Sequence, residues 1–288
     1  MKPPVETEPH VSQSVDAFRF GRNWQHYVER HLSPERIAIA QESLTKLVGE
    51  GLEGKSFLDI GAGSGVFSLC AHDSGATKVT SVDVDADAVA ACNELRRSRG
   101  NPANWTVLEG SILDPLLLRD LPQADIVYSW GVLHHTGQMH QALVNASTLV
   151  KPGGLFCIAI YNRVDEGILN SRAWWRIKRT YIRSPRPVQR VLELAFVSAW
   201  AVRQLAAGRN PRDVARRHKS ARGMALVTDL VDWLGGYPYE YATVDEIVSF
   251  CRQNCEMEVV RIIPATERAL DNNEFVFRRG GVGTPSEP

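Results

Sequence analysis

Residues 57–67 read FLDIGAGSGVF, a buried-type strand that runs into Gly61, Gly63 and Gly65 and then into an apolar stretch of helical character. Glycines at this spacing let backbone amides approach a ligand with no Cβ in the way. A strand that feeds a tight turn and a helix must be followed by a parallel partner strand, and the sequence supplies one after another. KVTSVDV is a second strand and DADAVAACNELRRSRG a second helix; WTVLEG and ADIVYSW are the third and fourth strands. MHQALVNASTLV is a helix expected to stop at KPGG, and GGLFCIAIY is a fifth strand, almost wholly apolar. Such alternation predicts a parallel sheet with helices on both faces and right-handed crossovers. Near-continuous apolar strands are what that sheet buries.

The flanks are different. A helix is expected over 33–52, with Ser33 as its cap and Pro34 at its first position. The alternation breaks at Asn162, and residues 163–222 hold 15 Lys/Arg against four Asp/Glu, a local charge of +11 in a chain whose total is zero. Regular structure resumes near Gly223, where Thr243 and Glu246 form a capping box ahead of a helix. EMEVVRII and NEFVFRR then supply two last strands. The expected organisation is a disordered lead (1–14), an N-terminal helical cover (15–53), a ligand-binding core (54–162), a basic helical insertion (163–222), the C-terminal part of the core (223–280) and a disordered tail (281–288).

Five scattered cysteines favour free thiols in a cytoplasmic protein over a disulfide framework. Cys251 and Cys255, four apart on a helix, are expected to pack, since no second ligand pair stands at zinc spacing. The N-terminus lacks a signal-peptide core, and no run is long and apolar enough to span a bilayer. Whole-chain neutrality argues against a nucleic-acid partner.

The glycine turn, with Asp83 closing the second strand 20 residues after Gly63, would also serve a dinucleotide. Two details argue otherwise. Val66 stands where the dinucleotide fingerprint has its third glycine. Asp59, just before the loop, would oppose a pyrophosphate, whereas S-adenosylmethionine carries a sulfonium and an ammonium that suit a nearby acid.

FLDIGAGSG, SVDVD, YSWGVLHHT and LVKPGG resemble the successive motifs of class I S-adenosylmethionine-dependent methyltransferases over about residues 57–160. The resemblance implies a Rossmann-like α/β fold: a seven-stranded, mostly parallel sheet with an antiparallel last strand, here with the helical insertion after the fifth strand. It implies a cofactor set of Asp59, Gly61, Ala62, Gly63, Gly65, Asp83, Val84, Ser111, Ile112 and Trp130. In it the glycines line the methionine part, Asp83 holds the ribose, and Ser111 and Ile112 lie beside the adenine. Many relatives have Asp where Ser111 stands. SPERIAIA is similar to the N-terminal helix of ubiquinone-pathway O-methyltransferases, which implies that Arg36 contacts the cofactor carboxylate. FRFGRNW resembles an N-terminal cover whose contact would be Trp24, or else a helix that merely packs on the sheet.

The acceptor is expected beyond the carboxyl ends of the strands. His134 and His135, just after the fourth strand, are the candidate bases, with reference pKa values of about 6.5. Tyr161 is the next candidate for substrate contact, and His218 is a distant third. The insertion is either a helical cap with a solvated basic rim or a surface for anionic or lipid-linked substrates at a membrane. The triplet Arg176, Lys178 and Arg179 represents its cationic face, and Trp174, Trp175 and Tyr181 stand ready to bury an apolar acceptor. Asp229 and Asp232 face arginines of the insertion or, as in some catechol methyltransferases, serve magnesium; the expectation is no metal. WLGGYPYEY is expected to be a mobile rim loop. The leading function is O-methylation of a small-molecule, lipid or quinone-like acceptor. The rivals are RNA methylation and S-adenosylmethionine binding with other chemistry.

Overall fold

The computed structural model describes residues 32–222, 226–265 and 271–280, with the backbone alone at 217–222, 226–229 and 232. Trp24 and the side chain of His218 lie outside the described residues.

Helix α1 (Pro34–Val48) precedes the sheet and buries Leu44, Leu47 and Val48. Ser33 has the extended backbone of an N-cap, but its side chain bonds none of the first amides, so the expected cap is absent and Pro34 at the first turn starts the helix. The core then runs β1 (Ser56–Ile60), α2 (Val66–Asp73), β2 (Lys78–Asp83), α3 (Ala86–Ser98), β3 (Trp105–Glu109), α4 (Pro115–Asp120), β4 (Ala124–Trp130), a single 3-10 turn (Leu133–His135), α5 (Met139–Thr148) and β5 (Val150–Tyr161). Four helices follow: α6 (Ser171–Arg183), α7 (Arg186–Ala206), α8 (Pro211–Arg222) and α9 (Leu226–Gly235). Helix α10 (Val244–Asn254), β6 (Met257–Ile263) and β7 (Asn272–Arg279) complete the sheet.

The seven strands are ordered β3-β2-β1-β4-β5-β7-β6. β7 pairs antiparallel with β5 and β6, and the other described pairings are parallel. The direction of strand addition reverses between β1 and β4, which opens a crevice beyond their carboxyl ends. Apolar clusters lie on both faces of the sheet. One joins Leu58, Val127, Phe156 and Ile158 to α5 and α10. The other joins Phe57, Ile126 and Tyr128 to α1, α2 and α3.

Three readings of the sequence are corrected. KPGG does not end a helix: α5 is already over at Thr148, and Lys151–Gly154 lie inside β5. A Cβ on Gly154 would meet the Asp125 carbonyl oxygen at 2.8 Å, so glycine lets β5 start against β4. The short helix α4 went unseen because PLLLRD shows no helical period in six residues. The WLGGYPYEY segment is packed rather than a mobile rim: Tyr239 and Ala242 are buried, and Glu240 N–H donates to the His134 carbonyl.

The capping box is present, with Thr243 Oγ1 accepting from Glu246 N–H and Glu246 Oε2 accepting from Thr243 N–H. Thr243→Ala should therefore lower folding stability by about 1 kcal/mol. A denaturant titration checks this; an unchanged midpoint would show that α10 needs no cap.

Candidate active site

The loop after β1 turns through positive φ at Gly61 (74°), Gly63 (55°) and Gly65 (80°), a region that costs an L side chain about 1–2 kcal/mol. Packing makes two of these glycines obligatory. A Cβ on Gly61 would lie 2.4 Å from Val132 Cγ1, and one on Gly65 would lie 2.5 Å from Cys92 Sγ. The loop is thus pressed against the segment after β4 on one side and against α3 on the other.

Its amides are largely committed. Gly61 and Ala62 N–H donate to the Val82 carbonyl, Gly65 N–H donates to the Ala62 carbonyl, and Gly63 N–H donates to Asp83 Oδ2 at 2.8 Å. Asp83 Oδ1 accepts from Asp85 N–H. Few free donors remain for a pyrophosphate, while two carboxylates lie beneath and beside the turn.

Asp59 is the one beneath. It is only 2 % exposed, and Oδ2 accepts from Ser68 Oγ at 2.6 Å. Ser68 Oγ accepts from Ser81 Oγ, which in turn accepts from Trp105 Nε1–H. Every donor in this buried chain points toward Asp59, and such chains polarise one another. Burial pushes the Asp59 carboxyl up to about 7 despite the Ser68 bond. Burial also raises Asp83, against the opposing pull of the amide bonds from Asp85 and Gly63. A cationic ligand above the loop would relieve both costs.

The outer rim is apolar. Val84 is 70 % exposed directly after Asp83, and Trp130 is 41 % exposed at the end of β4, its Nε1–H bonded to Glu274 at 3.0 Å. Ser111 Oγ is already accepting from Leu113 N–H. Ile112 is buried, and its carbonyl accepts from Asn145 Nδ2. Arg36 sits partly buried in the first turn of α1.

The acceptor side is an aromatic assembly. His134 and His135 ring centroids are 4.5 Å apart, and the Tyr161 ring lies 4.0 Å from His134 and 5.3 Å from His135. Trp233 and Tyr239 pack on Tyr161 at 5.5 and 5.3 Å. His135 Nδ1 is 2.6 Å from the Pro238 carbonyl oxygen. A carbonyl only accepts, so Nδ1 carries the proton and Nε2 keeps its lone pair. Burial lowers His135 to about 4, and burial together with His135 holds His134 well below its usual range. Burial raises the Tyr161 hydroxyl, which stays a proton donor.

The insertion departs from expectation at one position. Arg176 is exposed and Arg179 lies over the Trp175 ring at 4.9 Å, but Lys178 is fully buried. Trp174 and Tyr181 are buried too, in a cluster with Leu234 and Tyr239. Its place two residues after Arg176 and one before Arg179 hid Lys178; its position one turn after the buried Trp174 was the available signal. The five cysteines are free and buried. Among the described residues no group of His, Cys, Asp or Glu could hold a metal ion, and the Asp229 and Asp232 side chains lie outside them.

Residues 58–156 match the family model described as Methyltransferase domain. The ubiquinone biosynthesis O-methyltransferase of Glaesserella parasuis serovar 5 is 30% identical over 139 residues, 48% of this chain and 56% of the relative. The ribosomal protein L11 methyltransferase of Photobacterium profundum is 34% identical over 116 residues, 39% of this chain and 36% of the relative. The chain thus spans about half or less of the length of the curated relatives it matches. Among solved structures, magnesium protoporphyrin IX methyltransferase from Synechocystis PCC 6803, with bound SAH, aligns at TM-score 0.52 and 13% identity, over 90% of this chain and 94% of that one. An O-methyltransferase family protein from Burkholderia thailandensis aligns at TM-score 0.52 and 14% identity, over 86% of this chain and 58% of that one. The fold is that of class I methyltransferases, as the motifs had implied.

The histidine pair generates a prediction. The folded-state pKa of His135, about 4, lies below the unfolded value of about 6.5. The unfolded chain therefore binds this proton more readily, and stability is lost as pH falls from about 6.5 to about 4. Two-dimensional NMR should show neutral imidazole shifts for His135 down to about pH 5. A midpoint near 6.5 would mean that the ring is solvated.

Proposed function

We propose that this chain is an S-adenosylmethionine-dependent methyltransferase of class I that O-methylates a small-molecule or lipid-like acceptor. The observation that carries the reading is the loop after β1: its amides are spent internally and Asp59 and Asp83 stand against it, an arrangement built for a cation. Gly61, Ala62, Gly63 and Gly65 would line the methionine part, Asp83 the ribose, and the exposed Val84 the adenine face. Ser111 and Ile112 stay as adenine neighbours, Trp130 as a wall facing the acceptor, and Arg36 as a partner of the cofactor carboxylate. When bound, S-adenosylmethionine supplies an electrophilic methyl group.

The chain's own contribution is alignment, which in ideal intramolecular cases supplies roughly 7–11 kcal/mol. Tyr161, Trp233 and the histidine pair form a fixed wall at the carboxyl ends of β4 and β5. His135 presents Nε2 as the proton acceptor, already neutral and already oriented by Pro238. A base lowered to about 4 does not titrate in the neutral range, so the rise in rate through pH 6.5 that an ordinary histidine base gives is not expected here.

The insertion supports a peripheral surface for lipid-like acceptors. Trp175, Arg176, Arg179, Thr180, Arg183 and Ser184 line a groove of about 540 Å³. Beside it, α7 exposes Val191, Leu194, Val202 and Leu205, each more than 60 % accessible. Arginines beside an apolar helix face suit an anionic bilayer surface. Among the described residues no helix is long and apolar enough to cross a membrane.

Calorimetry with S-adenosylmethionine, and NADH as the control, tests the cofactor. Binding in the micromolar range is expected, and Asp83→Ala should remove about 1.5–3 kcal/mol of it. Preferential NADH binding would overturn the reading. Profiling of extracts with a labelled methyl donor identifies the acceptor, and with it His135→Ala should lower turnover by about 10²–10⁴ at a cofactor affinity within a few fold. Replacement of Arg176, Arg179 and Arg183 together by Gln should weaken sedimentation with anionic vesicles and leave S-adenosylmethionine affinity alone. Loss of cofactor binding in that folded variant would move the insertion into the cofactor site.

A further inference from the structure

Among the described residues, Lys178 is a charged side chain of the aromatic assembly that no counter-charge balances. It projects from α6 into the buried interior, is 0 % exposed, and donates from Nζ to the Trp233 carbonyl. Its Nζ lies 4.1 Å from the Trp233 ring centroid, 5.0 Å from that of Tyr239 and 6.0 Å from that of Trp174. Among the described residues no carboxylate pairs with it. An ammonium taken out of water without a counter-charge is costly, and aromatic faces recover only about 2 kcal/mol of that.

Its neighbours are unsatisfied as well. Trp174 Nε1, the Tyr239 hydroxyl and both ring nitrogens of His134 are buried without a hydrogen bond of good geometry; the Ser171 side chain lies near the Tyr239 hydroxyl and the Ala159 carbonyl near His134, both outside bonding geometry. Native interiors leave few such groups, and here several fall in one assembly. Tyr161 and Trp233 are only partly buried, so the assembly keeps an edge toward solvent next to His135.

We propose that Lys178 is an acceptor-binding residue: its ammonium is the counter-charge for an aromatic acceptor carrying an anionic oxygen, a carboxylate or a phenolate. The flat rings of Tyr161, Trp233 and Tyr239 take the aromatic body, and the free Tyr239 hydroxyl and Trp174 N–H donate to its oxygens. This assignment rests on the methyltransferase reading and narrows its acceptor class. It also gives the insertion a function inside the site, separate from the arginine groove on its outer face.

The pH dependence follows. Burial lowers Lys178 to about 7, and a bound anion favours its charged form, so a carboxylate ligand should bind more weakly as pH rises through that value. Among the described residues the titratable groups around it are His134 and His135 from the turn after β4, Tyr161 from β5, and Tyr239 and Glu240 from the segment after α9; the side chains of Asp229 and Asp232 on α9 lie outside the described residues. The histidines stay neutral and the tyrosines protonated near neutrality. Glu240 is raised by burial to about 7 and is bonded to Met139 N–H, so a lysine-free variant must separate the two.

The experiment is calorimetry of the full chain saturated with S-adenosylhomocysteine, titrated with benzoate and with its neutral isostere benzamide. Benzoate should bind about tenfold or more tightly than benzamide at about pH 6, and the preference should fade by about pH 9. In Lys178→Met the preference should drop to within about twofold at every pH, with S-adenosylhomocysteine affinity unchanged. Equal affinities in the unmodified protein, no binding of either probe, or a preference that survives in the folded variant would each overturn the proposal; a pH dependence surviving there would assign it to Glu240. If S-adenosylhomocysteine itself fails to bind the unmodified protein, the methyltransferase reading fails instead.

Discussion

The hydrogen bond from Gly63 N–H to Asp83 Oδ2 joins the ends of β1 and β2, next to the β1–β4 boundary where the sheet reverses its order. β1 delivers the loop, β2 delivers the carboxylate, and the bond holds the turn in the left-handed conformation that its glycines permit. With the loop fixed, the segment after β4 can close to van der Waals distance over Gly61, and α3 can close over Gly65. The first of these approaches, at Val132, sets where His134 and His135 stand relative to the crevice. The cofactor side and the acceptor side are therefore coupled through one small turn. The same bond costs ligand affinity nothing, because a carboxylate has about four lone-pair sites and two amides occupy only part of them.

The acceptor side is assembled from parts far apart in the chain. The His134 carbonyl receives Glu240 N–H, the Pro238 carbonyl receives His135 Nδ1–H, and the Tyr161 carbonyl receives Ala242 N–H. Each bond ties the segment after α9 to the ends of β4 and β5. The insertion is held by the same segment, since Trp233 and Tyr239 are the rings against which Trp174 and Lys178 pack. A helical cap anchored only by its own surface would slide; this one is pinned by a side chain that reaches inward past two aromatic rings.

How much of this was legible depended on whether the signal was local. The succession of strands along the chain, the glycine turn and the Thr243–Glu246 box are written in short stretches whose period or spacing is clear, and the described structure has them. KPGG was misread because proline and glycine stop helices and also allow a strand to start against a neighbour, and only the distance from Gly154 to Asp125 decides between the two. The histidines were visible as residues, but their neutrality was not, since it depends on burial beside Tyr161 and under the Pro238–Glu240 segment, about a hundred residues away. Lys178 was the hardest: a lysine between arginines has the composition of a solvated face, and its inward direction follows from helical phase with Trp174 and Tyr181, four before and three after it.

Charge supplies the last step. The chain is neutral overall, yet residues 163–222 carry +11 and the remainder carries −11. Asp59 and Asp83 stand by the glycine loop, while Lys178 belongs to the cap, so part of the separation in sequence becomes a separation between the two ends of the site. A donor that is cationic at its sulfur belongs at the acidic end, and an electron-rich oxygen belongs at the basic end. Those fixed charges bind the donor and the acceptor at opposite ends of the site and so set their order along it. That is why the unbalanced lysine can sit in a hydrophobic wall: its stabilising partner is the acceptor, and the cost of its burial in the free protein becomes selectivity when the acceptor arrives.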